Sequence, residues 1–276
     1  MEGKVCLVTG ANAGIGKATA LGLAQRGATV VMVSRDRERG EAAQAEIARQ
    51  SGNESVDLLL ADLSSQAEIR RLAAEFGRQY DQLHVLVNNA AIIPLQRRET
   101  EDGLEMQFAV NHLAYFLLTH LLLDVLKASA PARIVNVSSQ THQWGQIDFD
   151  DLQSEKQYDP QPAYMQSKLA NVLFTYELAR RLQGTGVTAN CLHPGGIRTR
   201  LNANYAGRAG AAEASPAELQ RGAQTSIYLA TSPEVEGVSG KYFVNRRQTQ
   251  SSAESYDQHL AQRLWQISAE LTGLET

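Results

Sequence analysis

The sequence predicts an α/β protein, a single doubly wound domain over residues 1–276 whose parallel sheet of about seven strands carries helices on both faces. Three observations carry that expectation. Short β-branched runs alternate along the chain with longer stretches of helical periodicity, the pattern of strand–helix–strand crossovers. The runs are almost continuously apolar, as strands covered on both faces must be. Finally, neither an internal repeat nor a low-complexity linker divides the chain.

The elements follow in order. KVCLVT opens the sheet, and TGANAGIGK leads from it into the helix formers ATALGLAQRG. TVVMVS is the second strand, followed by helical periodicity over Glu38–Gln50. VDLLLA precedes a helix over Gln66–Tyr80, and HVLVNN precedes a long one over Leu104–Ala128. RIVNVSS, a helix over Ala163–Leu182, GVTANCL and KYFV complete the sheet. Two segments break the rhythm, one polar at about 140–161 and one Gly/Ala-rich at about 200–216. Long irregular loops in a compact domain are often functional, so both are expected to shape a substrate site. Leu260, Leu264, Ile267 and Leu271 form an apolar stripe at helical spacing, with Trp265 beside it, and read as a docking helix.

Composition narrows the function. A net charge of −4 and a pI near 5.9 argue against a broad nucleic-acid surface. Cys6 and Cys191 sit in apolar strands and offer neither a disulfide framework nor metal spacing. The six histidines form no metal-ligand pattern, so no metal is expected, and His142 and His193 read as structural residues. The most apolar helical patch, Phe116–Leu123, is too short for a membrane span. With the first strand beginning by Lys4 and no leader before it, a cytoplasmic protein with no nucleic-acid partner and no integral membrane segment is expected.

Gly10, Gly14 and Gly16 lie between the first strand and first helix. Glycine there permits a tight turn, backbone approach to a pyrophosphate at the helix terminus, and close helix–sheet packing. At the end of the second strand, Arg35 suits a ribose 2′-phosphate, while Asp36, about 20 residues beyond Gly16, suits a free 2′-hydroxyl. The guanidinium favours NADP(H), and NAD(H) stays possible. Lys17 is read as solvated, with assistance to the phosphate as the alternative.

Tyr164 and Lys168 are four residues apart on a helix, hence on one face. An ammonium near a phenol favours the phenolate, and such a tyrosine can exchange a proton with a carbonyl or alcohol oxygen as hydride moves at carbon. Ser138 and Ser139 end one strand, Asn88–Ala91 follow another, and Asn111 stands inside a helix, where its propensity is poor. The strand ends share the carboxyl edge of the sheet, where open α/β folds bind ligands.

Taken in this order, TGANAGIG, Asp62-Leu63, NNAA, Asn111, Ser139, Tyr164-x-x-x-Lys168 and HPGGIRT resemble the short-chain dehydrogenase/reductase family, a Rossmann fold, in its GxxxGxG branch. APARIVNVSS, DLQSEKQY, SKLANVLFTYELARRLQGTGVT and the 25-residue gap from Ser139 to Tyr164 are similar to the retinol dehydrogenase–like group.

The resemblance implies a catalytic set of Asn111, Ser139, Tyr164 and Lys168. Tyr164 is the acid/base, Lys168 lowers its pKa and holds the nicotinamide ribose, and Ser139 bonds the substrate oxygen. Asn111 holds a relay water, and Ser138 is a structural neighbour. It implies cofactor contacts from Gly10, Asn12, Gly14, Ile15 and Gly16 at the phosphates, Arg35 at the 2′-phosphate, and Asp62 and Leu63 at the adenine. Asn89 and Ala90 belong to the adenosine side, and Pro194, Gly195, Ile197 and Thr199 to the nicotinamide. The implied activity is interconversion of an alcohol and a carbonyl on a fairly apolar substrate, in a possible homo-oligomer. Ala91 departs from the family's NNAG, and the amino-terminal anchor and later apolar segment of the group's vertebrate members have no counterpart here. Trp144, Ile147, Phe149, Ile93 and Leu201 are the candidate apolar pocket wall. A dinucleotide-binding sensor without turnover is the alternative from another class, against which the complete catalytic set argues. GxxGxxG spacing and a G-x-S-x-G elbow, marks of sugar epimerases and serine hydrolases, do not occur.

Overall fold

The computed structural model describes residues 1–197, 201 and 214–274. Its elements begin with β1 (Val5–Thr9), α1 (Gly14–Ala24), β2 (Thr29–Ser34), α2 (Arg37–Ser51), β3 (Val56–Leu60), α3 (Gln66–Gln79) and β4 (Val85–Asn88). A broken helical segment follows, made of α4 (Met106–Phe108), a π-turn (Ala109–Leu113), α5 (Ala114–Leu121) and α6 (Leu123–Ala128). Then come β5 (Ala132–Val137), a 3₁₀ turn (Gln140–Trp144), α7 (Pro160–Arg181), β6 (Val187–His193) and α8 (Pro216–Thr231). The chain ends with β7 (Tyr242–Val244), β8 (Arg247–Thr249), a 3₁₀ turn (Ala253–Tyr256) and α9 (Gln258–Thr272).

Among the described residues the sheet has eight strands, in the order β3-β2-β1-β4-β5-β6-β7-β8. All neighbours are parallel up to β7, and β8 returns antiparallel. The expected seven strands are present. The eighth is a three-residue exposed strand, reached through Asn245 and Arg246 with φ of 50° and 64°. A hairpin of that length carries no apolar alternation for a sequence reading to find.

Apolar layers fill both faces. Leu7, Val31, Leu86 and Ile134 join α3, α5 and α7 on one side, while Cys6, Val8, Val30 and Val135 join α1, α2 and α8 on the other. Both cysteines are buried and free. Leu264 and its stripe neighbours dock α9 on α7 beside Leu169 and Leu173, and Trp265 packs with Phe116 and Phe174. The expected single helix over Leu104–Ala128 is instead interrupted at the π-turn and again at Leu122, whose ψ of 3° leaves the helical range. Among the described residues, no helix is long and apolar enough to cross a membrane.

Candidate active site

The strand order reverses between β1 and β4, and the chain leaves both at the same sheet edge, the switch point at which such sheets bind ligands. Gly10 turns the chain away from β1 with φ of 64°, and a Cβ there would lie 2.9 Å from the Ala90 Cα. Gly14 opens α1 with φ of 57°. A Cβ on Gly16 would fall 2.3 Å from the Gly10 carbonyl oxygen and 2.4 Å from the Asn89 Nδ2, so only glycine lets α1 approach this closely. Asn12 lies in the turn between, half-buried, and α1 has no side-chain cap at Ala13. The first N–H groups of α1 are thus left without a capping side chain. Thr9 Oγ1 accepts from the N–H groups of Asn89 (2.9 Å) and Ala90 (3.1 Å), and Asn89 Nδ2 donates to the Thr9 carbonyl at 2.9 Å. Ile15 and Ile197 converge on Gly222 of α8, where a Cβ would come within 3.0 Å of both.

At the end of β2 the two rival residues separate. Asp36 is the N-cap of α2 and accepts from the Arg39 N–H at 2.9 Å. Arg35 is 72% exposed, with its guanidinium 3.6 Å from Asp62. Asp62 also accepts from the N–H and hydroxyl of Ser64 at 2.9 and 2.7 Å, while Leu63 turns its side chain into the core. Lys17, read above as solvated, is ion-paired with Glu46.

Across the edge, Ser139, Tyr164 and Lys168 come together. Ser139 stands beside the Tyr164 phenol and acts to lower its pKa, while its Oγ accepts from the Thr141 N–H at 3.2 Å. The Lys168 ammonium lies 5.5 Å from the centre of the Tyr164 ring and 5.8 Å from that of Tyr115. It donates to the Val137 carbonyl at 3.2 Å. Ser138 is structural, as expected, donating to the Lys168 carbonyl at 2.7 Å.

Burial works against charge on both central groups. It pushes the Tyr164 phenol up to about 12, opposed by the Ser139 side chain, and draws the Lys168 amine down to about 7. The expectation that the ammonium depresses the phenol is corrected here, because burial is the largest influence on the phenol and raises it, and the amine bonds a carbonyl rather than the phenol. The phenol therefore keeps its proton at neutral pH and can give it to an adjacent oxygen.

Asn111 is buried in the π-turn. Its side chain is fully engaged, with Oδ1 accepting from the Ile92 N–H (2.8 Å) and Nδ2 donating to the Ile92 carbonyl (3.0 Å) and the Ser167 hydroxyl (3.2 Å). It stitches the loop after β4 to the π-turn, and its carbonyl accepts from Asn171 Nδ2 at 2.8 Å. That carbonyl keeps a second lone pair.

Pro194 and Gly195 leave β6 half-buried, Gly195 with φ of 95°, and Ile197 is buried. Thr199 and residues 202–213 of the second loop lie outside the described residues. Of the candidate pocket wall, Ile147 and Phe149 pack on the core under α9 instead, Phe149 facing the Arg263 guanidinium at 4.0 Å. Ile93 is buried and Trp144 is 65% exposed. Two cavities lie away from this edge, one of about 220 Å³ between α5, α7 and α9, the other a shallow polar hollow at the opposite end of the sheet. Sequence reasoning missed Tyr115, which is buried beneath Lys168. The only sign of it was an aromatic inside FAVNHLAYF. Among the described residues, no cluster of His, Cys, Asp or Glu converges as a metal site would.

The family model described as short chain dehydrogenase matches residues 4–209. The chain is 48% identical over 286 residues to retinol dehydrogenase 13 of Homo sapiens, covering 100% of this chain and 86% of that protein. It is 47% identical over 279 residues to retinol dehydrogenase 12 of Homo sapiens, covering 99% and 88%. A solved structure of an uncharacterized protein from Mycobacterium Paratuberculosis superposes with a TM-score of 0.83 at 35% identity, covering 99% of this chain and 95% of that one. The Pseudomonas aeruginosa RhlG/NADP active-site complex gives 0.70 at 28% identity, over 88% and 94%. Such agreement in sequence over nearly the whole length, on a sheet wound the same way, shows that the chain belongs to the short-chain dehydrogenase family of oxidoreductases.

Proposed function

We propose that the chain, acting as one domain over 1–276, interconverts an alcohol and an aldehyde or ketone on a fairly apolar substrate, with NADP(H) as cofactor and Tyr164 as acid/base. The observation that carries the reading is the meeting of Ser139, Tyr164 and Lys168 at the edge that also holds the glycine cradle. The cradle fits a dinucleotide: no side chain caps α1, and the space a Cβ would take at Gly16 is closed to any residue but glycine. When bound, the nicotinamide supplies or accepts the hydride.

Gly10, Asn12, Gly14, Ile15 and Gly16 would hold the pyrophosphate, and Arg35 the 2′-phosphate. Asp62, Leu63, Asn89 and Ala90 belong to the adenosine half, and Pro194, Gly195, Ile197 and Thr199 to the nicotinamide half. NADP(H) is favoured over NAD(H) because Asp36 is committed to capping α2 while Arg35 is exposed. In reduction, Tyr164 gives its phenolic proton to the carbonyl oxygen, and Ser139 donates a hydrogen bond to the same oxygen. Lys168 holds the ribose and, when ammonium, favours the phenolate left behind. The Asn111 carbonyl would hold the water through which Lys168 regains a proton. The names of these relatives, retinol dehydrogenases, support an apolar alcohol as substrate.

NADPH oxidation measured against aldehydes and ketones, from retinal to small aromatic ketones, tests this. Tyr164→Phe is expected to lower kcat by about 100-fold or more while NADPH affinity holds within a few fold. A variant that keeps most of its activity would remove Tyr164 from the role. Silence of the parent chain across the panel, with NADPH bound, would favour a sensor.

A further inference from the structure

Both polar groups of one peptide unit, the link from Ser139 to Gln140, are held by imidazoles. The Ser139 carbonyl accepts from His142 Nδ1 at 2.6 Å, and the Gln140 N–H donates to His193 Nδ1 at 3.1 Å. His142 is fully buried, and its ring packs 4.7 Å from that of Tyr242. Its other nitrogen, Nε2, accepts from the Ser252 N–H at 3.1 Å. A carbonyl can only accept and an amide N–H can only donate, so His142 is fixed as the neutral tautomer protonated on Nδ1. His193 must present a bare Nδ1 to Gln140. Burial lowers the basicity of both rings, that of His193 to about 4, in keeping with neutral forms at physiological pH.

The far end of this chain of bonds is itself anchored. Ser251 joins the Tyr176 hydroxyl of α7 at 2.7 Å and Ser255 at 2.6 Å. The segment around Ser252 is thus fastened to the helix that carries Tyr164 and Lys168, and through His142 to the turn that carries Ser139.

We propose that His142 and His193 are positioning residues that clamp the Ser139–Gln140 peptide and so fix the Ser139 hydroxyl against Tyr164. This rests on the role given to Ser139 above. Ser139 caps the 3₁₀ turn, whose backbone bond from the His142 N–H to the Ser139 carbonyl at 3.2 Å leaves the Gln140 N–H to the imidazole. Rotation of this peptide would swing the Ser139 hydroxyl away from the phenol. Two rings and the carboxy-terminal segment oppose that rotation, and an ångström of misplacement costs turnover far more than binding.

The test is a double-mutant cycle on kcat for a small aromatic ketone at saturating NADPH, with NADPH affinity measured beside it. Ser139→Ala is measured first; if it retains full activity, the proposed role of Ser139 falls, whatever the histidines do. In the parent chain, His142→Leu is expected to lower kcat by about tenfold or more, with NADPH affinity within about twofold. On the Ser139→Ala background the same change should cost less than about twofold, because there is no hydroxyl left to place. His142→Asn, whose amide can still donate to the Ser139 carbonyl, should recover most of the loss. Equal losses in both backgrounds, or no loss in the parent, would overturn the clamp. Should His142→Leu not fold, His193→Leu and His193→Asn carry the same cycle, and hydrogen exchange of the Gln140 amide in the parent reads the bond directly. Fast exchange there would count against the proposal as firmly.

Discussion

Arg35 and Asp36 are neighbours of opposite charge, and their different commitments decide what the end of β2 can bind. Asp36 is occupied by the Arg39 N–H at the start of α2, whereas Arg35 is largely exposed with its guanidinium 3.6 Å from Asp62. Arg35→Ala is therefore expected to weaken NADPH by about tenfold or more, as loss of a charged hydrogen bond would, and to leave NADH within about twofold. Titration of both cofactors checks it, and equal losses would remove the 2′-phosphate contact. At this scale the sequence was informative wherever spacing carried the message. Tyr164 and Lys168 are paired by one helical turn, and Ser139 by its place at a strand end. What it could not supply were partners distant in the chain. Nothing near His142 points to Ser252, and nothing near Asn111 points to Ile92. The lysine's effect on the phenol was misjudged for the same reason, since burial is a property of the folded surroundings.

Among the elements, the loop from β1 to α1 was the most legible, because its glycines have steric reasons that sequence position alone suggests. Gly16→Ala puts a methyl group 2.3 Å from the Gly10 carbonyl oxygen, so α1 must retreat from β1. The expected cost is about 1–3 kcal/mol of stability, seen in denaturant unfolding, together with a loss of NADPH affinity. An alanine variant of parent stability and affinity would contradict the close approach. All seven apolar strands were readable for the complementary reason that their burial on both faces is written as continuous hydrophobicity. The break in the helix after residue 104 was not readable. The π-turn there is stabilised by Asn111 reaching across to Ile92, and no local propensity encodes that contact.

On the scale of the whole molecule, a buried polar chain ties the sheet to the carboxy-terminal helix. Asn88 donates to Asn136, Asn136 to Thr175, and Thr175 to the Asn171 carbonyl. His112 lies 3.3 Å from Asn171 Oδ1 and 2.9 Å from Ser268 of α9. Burial holds His112 at about 4, below its ordinary 6.5. The unfolded chain therefore binds the extra proton first as pH falls, and stability is lost through the window from about 6.5 to 4. Between pH 7 and pH 5 the loss from this residue is about 2 kcal/mol. Urea unfolding at the two pH values measures it, and in His112→Asn the slope should flatten. A stability that is level across the window, or that rises toward acid, would show that His112 is not held neutral.

The bond from Ser252 to His142 spans 110 positions of the chain, and that separation bears on how the protein is made. Ribosomal synthesis delivers the glycine loop first, then the serine, the tyrosine and the lysine, and only much later the amide that completes the turn. Until that amide is made, the His142 Nε2 that it will meet has no donor from this segment.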